Sequence, residues 1–207
     1  MRIAALCGSR NRQGGTAQAL EAVLRGVAKA GGQWESLFLT EHNLERCRQC
    51  NQDGWGICLA EERCIIEDEF ASIVGRINSA DLIVFATPVY FHDLSESMKG
   101  FLDRLRRIDF PKILRLPGPV VPGQIPNGQG IPAIGVCYAG GSGTGTTSCC
   151  LNLERTLQTC GFDVVDMIPV RRQNLEMKLP LLEHVGAWLA TKPTSGPPLA
   201  PSAIGLT

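Results

Sequence analysis

Apolar positions in this chain fall into short unbroken runs separated by stretches where they return once per helical turn. The first run, Arg2 to Cys7, stops at Gly8-Ser9 and predicts a buried strand ending in a turn. From Thr16 onward, Leu20, Val23, Leu24 and Val27 share one helical face, and Gly31-Gly32 supplies the stop. The run Trp34 to Leu39 predicts a second strand, Asp68 to Asn78 a helix, and Leu82 to Ala86 a third strand. Met98, Phe101, Leu102 and Leu105 mark the next helix, and Ile131 to Tyr138, Cys149 to Thr159, Val164 to Val170 and Leu181 to Leu189 continue the alternation. Strands that are almost wholly apolar, each followed by an amphipathic helix, predict a parallel sheet buried on both faces, a doubly wound α/β domain. Ligands in such sheets sit beyond the carboxyl ends of the strands, which directs attention to the loops after the first, third and fourth strands.

Two segments depart from the alternation. Residues Ile108 to Gly130, rich in proline and glycine, form a long connection that reads as a flap or an oligomer contact. Lys192 to Thr207 carries four prolines and reads as an extended or disordered tail. The expected organisation is one domain over residues 1–191 with a cysteine-rich insertion at 45–65.

Composition narrows the function. The 20 lysines and arginines equal the 20 aspartates and glutamates, so no basic field draws the chain to nucleic acid or an anionic membrane. The most hydrophobic stretch, Leu82 to Tyr90, is short and interrupted by Thr87 and Pro88, which excludes a helical membrane span there. Met1-Arg2 leads straight into a strand, with no apolar leader ahead of it, and the expected location is the cytoplasm. Nine cysteines in such a chain read as metal or redox chemistry before they read as disulfides.

The first loop, Gly8-Ser9-Arg10-Asn11-Arg12-Gln13-Gly14-Gly15-Thr16, brings glycines, hydroxyls and arginines to the start of a helix, the chemistry of a monophosphate cradle. Ser9 and Thr16 can donate hydroxyls and Arg10 or Arg12 can supply charge. Thr87-Pro88-Val89-Tyr90-Phe91 places two aromatics where a flat heterocycle could lie, its polar edge meeting free backbone amides. His92 beside it can donate to such a ligand or simply be solvated. The loop from Ala139 through Gly140, Gly141 and Ser142 to Thr146 allows close approach of backbone to ligand. Cys47-x2-Cys50-x7-Cys58-x5-Cys64 can hold zinc or an iron–sulfur cluster, or remain free of metal and cover the pocket. Cys149-Cys150 reads as packing, and Arg104, Arg106 and Arg107 as a solvated helix face.

The order G-S-x-x-x-x-G-x-T, C-x-x-C, A-D-x-I-V-F-A-T-P-V-Y-F and K-x-F-L-D-R resembles the flavodoxin-like NAD(P)H-dependent FMN reductases over about residues 1–190, particularly the branch of iron–sulfur flavoproteins. That resemblance implies five parallel strands in the order 2-1-3-4-5 with helices on both faces. It implies FMN, its phosphate held by Ser9, Arg10, Arg12, Gly14, Thr16 and Ala17 and its ring flanked by Thr87, Pro88, Val89, Tyr90 and Phe91 on one side and Ala139, Gly140, Gly141 and Ser142 on the other. NAD(P)H is the implied cosubstrate, a small molecule (flavin, quinone or metal ion) the acceptor, and the flavin rather than a catalytic side chain carries the chemistry. A homodimer or homotetramer is expected. The alternative is an electron carrier with a four-iron cluster on Cys47, Cys50, Cys58 and Cys64, served by a ferredoxin-like donor; in the family's cluster-bearing branch the corresponding cysteines stand closer together.

Overall fold

A computed structural model describes residues 1–114 and 130–191. In chain order the elements are β1 (Arg2–Cys7), α1 (Gly15–Lys29), β2 (Gln33–Phe38), α2 (Cys58–Glu61), α3 (Phe70–Asn78), β3 (Leu82–Pro88), α4 (Glu96–Leu114), β4 (Pro132–Ala139), α5 (Thr146–Thr159), β5 (Asp163–Arg171) and α6 (Leu175–Thr191). The five strands form one parallel sheet in the order β2-β1-β3-β4-β5, the flavodoxin-like arrangement. The chain leaves β1 toward β2 on one side and returns to β3 on the other, so the crevice beyond the ends of β1 and β3 is the switch point.

Burial follows from the pattern. Every residue of β3 is buried because it lies mid-sheet with helices on both faces. Alternate side chains divide between two cores. Ala4, Leu6, Ile83 and Phe85 pack with Ile73, Phe101, Leu102 and Leu153 of α3, α4 and α5. Ile3, Ala5, Val84 and Val136 pack with Leu20 and Val23 of α1 and Leu182 and Leu189 of α6. Each fully buried Leu, Ile or Phe contributes about 1.5–3 kcal/mol against exposure to water.

Three boundaries differ from the sequence reading. Asp68 stands before α3 rather than in it, one residue ahead of the N-cap Glu69, and its Oδ1 accepts the N–H of Phe70, the first helical residue, at 3.1 Å. α6 starts at Leu175 and runs through Pro180, because Leu175 and Leu179 pack against the α1-side core and that burial outweighs the lost helical bond. α4 continues to Leu114, so the opening part of the expected 108–130 connection is helical. The rest of that connection, 115–129, and the tail 192–207 lie outside the described residues. Among the described residues no helix is long and apolar enough to cross a membrane.

Candidate cofactor-binding site

The first loop leaves β1 at Gly8, whose carbonyl accepts the Ser95 and Ser97 hydroxyls at 3.0 and 2.8 Å. Asn11 organises the turn: its N–H donates to Ser9 Oγ at 3.1 Å, its Oδ1 accepts the Gln13 N–H at 2.9 Å, and its carbonyl accepts the Gly14 N–H at 3.2 Å. The Ser9 hydroxyl is engaged within this turn, also donating to the Asn11 carbonyl at 3.3 Å. Gly14 is the N-cap of α1 and carries no side chain to satisfy the first-turn N–H groups, and no acidic residue stands in that turn. The N–H groups of Gly15, Thr16 and Ala17 thus head a long helix at its positive end, ready for an anion.

Neither arginine of the loop joins that end. Arg12 donates Nε to Glu41 Oε1 at 2.5 Å and Nη2 to Oε2, and its guanidinium lies 4.4 Å from the centre of the Phe38 ring. Hydrogen bonding from Arg12 holds the Glu41 carboxyl below its ordinary range. Arg10 is exposed and Ala17 is buried in the core beneath α1.

The second loop is a tight turn. Tyr90 and Asp93 exchange backbone hydrogen bonds at 2.9 Å in both directions, with φ of +48° at Phe91 and +66° at His92. Two side-chain-bearing residues in the left-handed region are strained and persist only when held from outside. α5 holds them: Ser148 Oγ donates to the His92 carbonyl at 2.8 Å and Asn152 Nδ2 to Asp93 Oδ1 at 3.1 Å. Gly145, itself at φ +83°, lies so close that a Cβ there would come within 2.7 Å of His92 Cα. Contrary to expectation, the Val89 and Tyr90 amides are occupied, donating to Tyr138 O and Asp93 O, which leaves Phe91 and His92 at the turn's tip. Phe91 is fully exposed and Tyr90 more than half so. Thr87 is buried behind them; its hydroxyl accepts the Ser95 N–H at 3.1 Å and fastens β3 to α4.

In the third loop the Gly143 N–H donates to Gly140 O at 2.7 Å, and Gln173 Nε2 donates to Ser142 O at 2.8 Å. The three loops surround a cavity of about 460 Å³, a size typical of small-molecule sites. Of the expected residues, Ser9, Gly14, Thr16, Pro88, Val89, Tyr90, Phe91, Ala139, Gly140, Gly141 and Ser142 line it; Arg10, Arg12, Ala17 and Thr87 do not. Gly15, His92, Tyr138 and Thr144 also line it. Tyr138 sits near the end of an apolar strand, and the sole sequence signal for its place in the lining is the glycine loop that follows it. Gln173, Ser148 and Asn152 support the loops from distant sequence and carry no local signature.

The insertion bears on α4. Arg104, expected on a solvated face, is buried with Asp68, their side chains 1% and 2% exposed. Its Nη1 and Nη2 reach Asp68 Oδ2 and Oδ1 at 2.6 and 2.9 Å, Nη1 also reaches Glu45 O at 2.9 Å, and Nη2 reaches Cys64 Sγ at 3.4 Å. Its guanidinium covers the Phe70 ring at 4.1 Å. Arg107 donates to Gly54 O and stacks over Trp55 at 4.8 Å. The helix face turned inward because the insertion lies over it, and Arg106 alone of the three keeps a surface contact, with Asp103. Burial first, then the nearby sulfurs of Cys64, Cys50 and Cys47, pushes the Cys58 thiol above its ordinary range. Among the described residues no three histidine, cysteine or carboxylate side chains converge so as to hold a metal ion.

A parallel 2-1-3-4-5 sheet whose switch-point cavity joins an open helix N-terminus to an aromatic turn and a glycine loop defines a flavodoxin-like protein. Within that class the chain belongs to the NADPH-dependent FMN reductase family, which it matches over residues 1–174. An iron-sulfur flavoprotein of Methanocaldococcus jannaschii is 31% identical over 130 residues, 62% of this chain and 65% of the relative. One from Methanosarcina thermophila is 26% identical over 113 residues, 53% of this chain and 56% of the relative. The matches span roughly half to two thirds of these relatives' length. In fold, the NAD(P)H:quinone oxidoreductase from Methanothermobacter marburgensis superposes with a TM-score of 0.65 at 21% identity, covering 93% of this chain and 97% of that one. A flavone reductase gives 0.65 at 19% identity, covering 92% and 62%.

Proposed function

We propose that the protein is an FMN-dependent oxidoreductase that draws hydride from NAD(P)H and delivers electrons to a small acceptor such as a free flavin, a quinone or a metal ion. The observation that carries this reading is the convergence of α1's uncapped N-terminus, the strained aromatic turn and the glycine loop on one cavity. When bound, FMN supplies the two-electron chemistry. The chain's own residues bind and orient. The first-turn amides of α1 and the Thr16 hydroxyl take the phosphate, Val89 to Phe91 border one side of the ring, and Ala139 to Ser142 the other. The αL turn presents Phe91 and His92 rigidly at the mouth, where a nicotinamide must reach van der Waals contact with the ring. The exposed Tyr90 and Phe91 also favour coverage by a second copy in a homodimer or homotetramer, measurable by light scattering of the flavin-loaded protein.

Stopped-flow bleaching of bound flavin by NADPH and by NADH tests the reading. Rapid bleaching that survives Cys47→Ser and Cys50→Ser is expected, and no bleaching by either nucleotide would overturn it. The names of the relatives and the cysteine spacing favour a second reading, an electron carrier using a cluster on Cys47, Cys50, Cys58 and Cys64. On that reading anaerobically purified protein contains about four irons per chain, as expected for a four-iron cluster, and loses them in the serine variants.

A further inference from the structure

We propose that Tyr138 is a further phosphate-binding side chain of this site, its hydroxyl donating at the head of α1 beside that of Thr16, in the role expected of an arginine. The inference rests on the reading of the cavity as an FMN site.

It begins with Gly15. A Cβ built on this residue would lie 2.1, 2.4 and 2.6 Å from Tyr138 Cζ, Cε2 and Cε1. These atoms are the hydroxyl-bearing end of the phenol, so Tyr138 lays that end directly against the first residue of α1. Gly15 is the first residue of the helix, and any larger side chain would displace the ring. The rest of the ring packs on the α1-side core, and the residue both lines the cavity and stays half-buried. The hydroxyl-bearing end of the phenol is therefore held by packing beside Gly15 at the head of α1.

The arginines leave this role open. Arg12 is forked onto Glu41 and stacked on Phe38, and Arg10 lies outside the cavity lining. Among the described residues, a phosphate at α1 would thus meet a helix N-terminus and hydroxyls, with no formal cation in the cavity lining. Tyr138 would then act in choosing the ligand: its donor rewards a phosphate monoester and gives nothing to the unphosphorylated flavin.

The test compares FMN and riboflavin binding, by quenching of flavin fluorescence, in wild type, Tyr138→Phe and Arg12→Ala. Phenylalanine keeps the ring against Gly15, and far-UV circular dichroism with thermal melting checks that the fold is retained. The expected result for Tyr138→Phe is FMN affinity weakened by about tenfold or more, as for a lost hydrogen bond to a charged group. Riboflavin affinity should stay within about twofold, and Arg12→Ala should leave both ligands nearly unchanged. The proposal is overturned if Tyr138→Phe leaves FMN unchanged or weakens both flavins alike. It is equally overturned if Arg12→Ala produces the FMN-selective loss. Failure of wild type to bind either flavin refutes the FMN reading itself.

Discussion

Replacing Arg104 with methionine removes the buried guanidinium that covers Phe70 while keeping an unbranched apolar stem in its place. Asp68 would then remain a buried carboxylate, still accepting the Glu45 N–H at 2.8 Å and the Phe70 N–H at 3.1 Å but without its counter-charge. Breaking one side of a buried ion pair costs about 3–5 kcal/mol. For a domain of this size each kcal/mol moves Tm by roughly 2–4 °C, so the variant should melt roughly 6–20 °C lower. Arg104→Met with Asp68→Asn leaves no orphaned charge, and the double variant should lose clearly less than the sum of the two single losses. The effect has a pH signature. Burial alone would raise the Asp68 carboxyl, but hydrogen bonds from Arg104, Glu45 and Phe70 outweigh it and hold the group below its ordinary value. A depressed carboxyl contributes stability above its unfolded pKa and loses it as pH falls through the folded one, so the gap between wild type and Arg104→Met should narrow in acid. Urea titrations followed by circular dichroism give the energies, and limited proteolysis reports whether the insertion between Glu45 and Asp68 loosens from α4. A single-variant loss under about 1 kcal/mol, or strict additivity in the double variant, would refute the coupling described here.

Two further outcomes follow from the same geometry. Gly145→Ala combines a left-handed φ with overlap onto His92 and should cost about 1–3 kcal/mol in urea unfolding while weakening flavin binding; a neutral effect on both would show that α5 does not hold the aromatic turn. Burial pushes the Cys7 thiol up to about 11, so it stays protonated at pH 8 and should resist iodoacetamide until urea unfolds the chain; peptide mapping that finds Cys7 alkylated as fast in native as in unfolded protein would contradict this.

Much of the fold was legible in local pattern. Runs such as Leu82 to Ala86 are apolar at every position because a mid-sheet strand meets helices on both faces, and one-dimensional periodicity reports that burial directly. The three loops that surround the cavity were legible for a similar reason. Glycine, proline and hydroxyl residues at a strand's end are a local signal, and the doubly wound topology brings such ends to one edge. Even the cysteine run declared itself by spacing.

What the pattern left undetermined depends on partners far away in sequence. Periodicity marked Arg104 as polar and therefore exposed; an insertion some forty residues earlier covers it, and Asp68 makes its burial tolerable. Arg12 had the right charge in the right loop, but Glu41, beyond β2, captures it. Tyr138 belonged to a strand in the sequence, and only the crossing of β4 beneath α1 sets its phenol against Gly15. Sequence determined which residue types reach the carboxyl edge, since strand and helix periods are local properties of the chain. Tertiary structure decided which of them face the ligand, because a charged or hydroxyl side chain takes the nearest partner that packing provides, and packing is assembled across the whole fold.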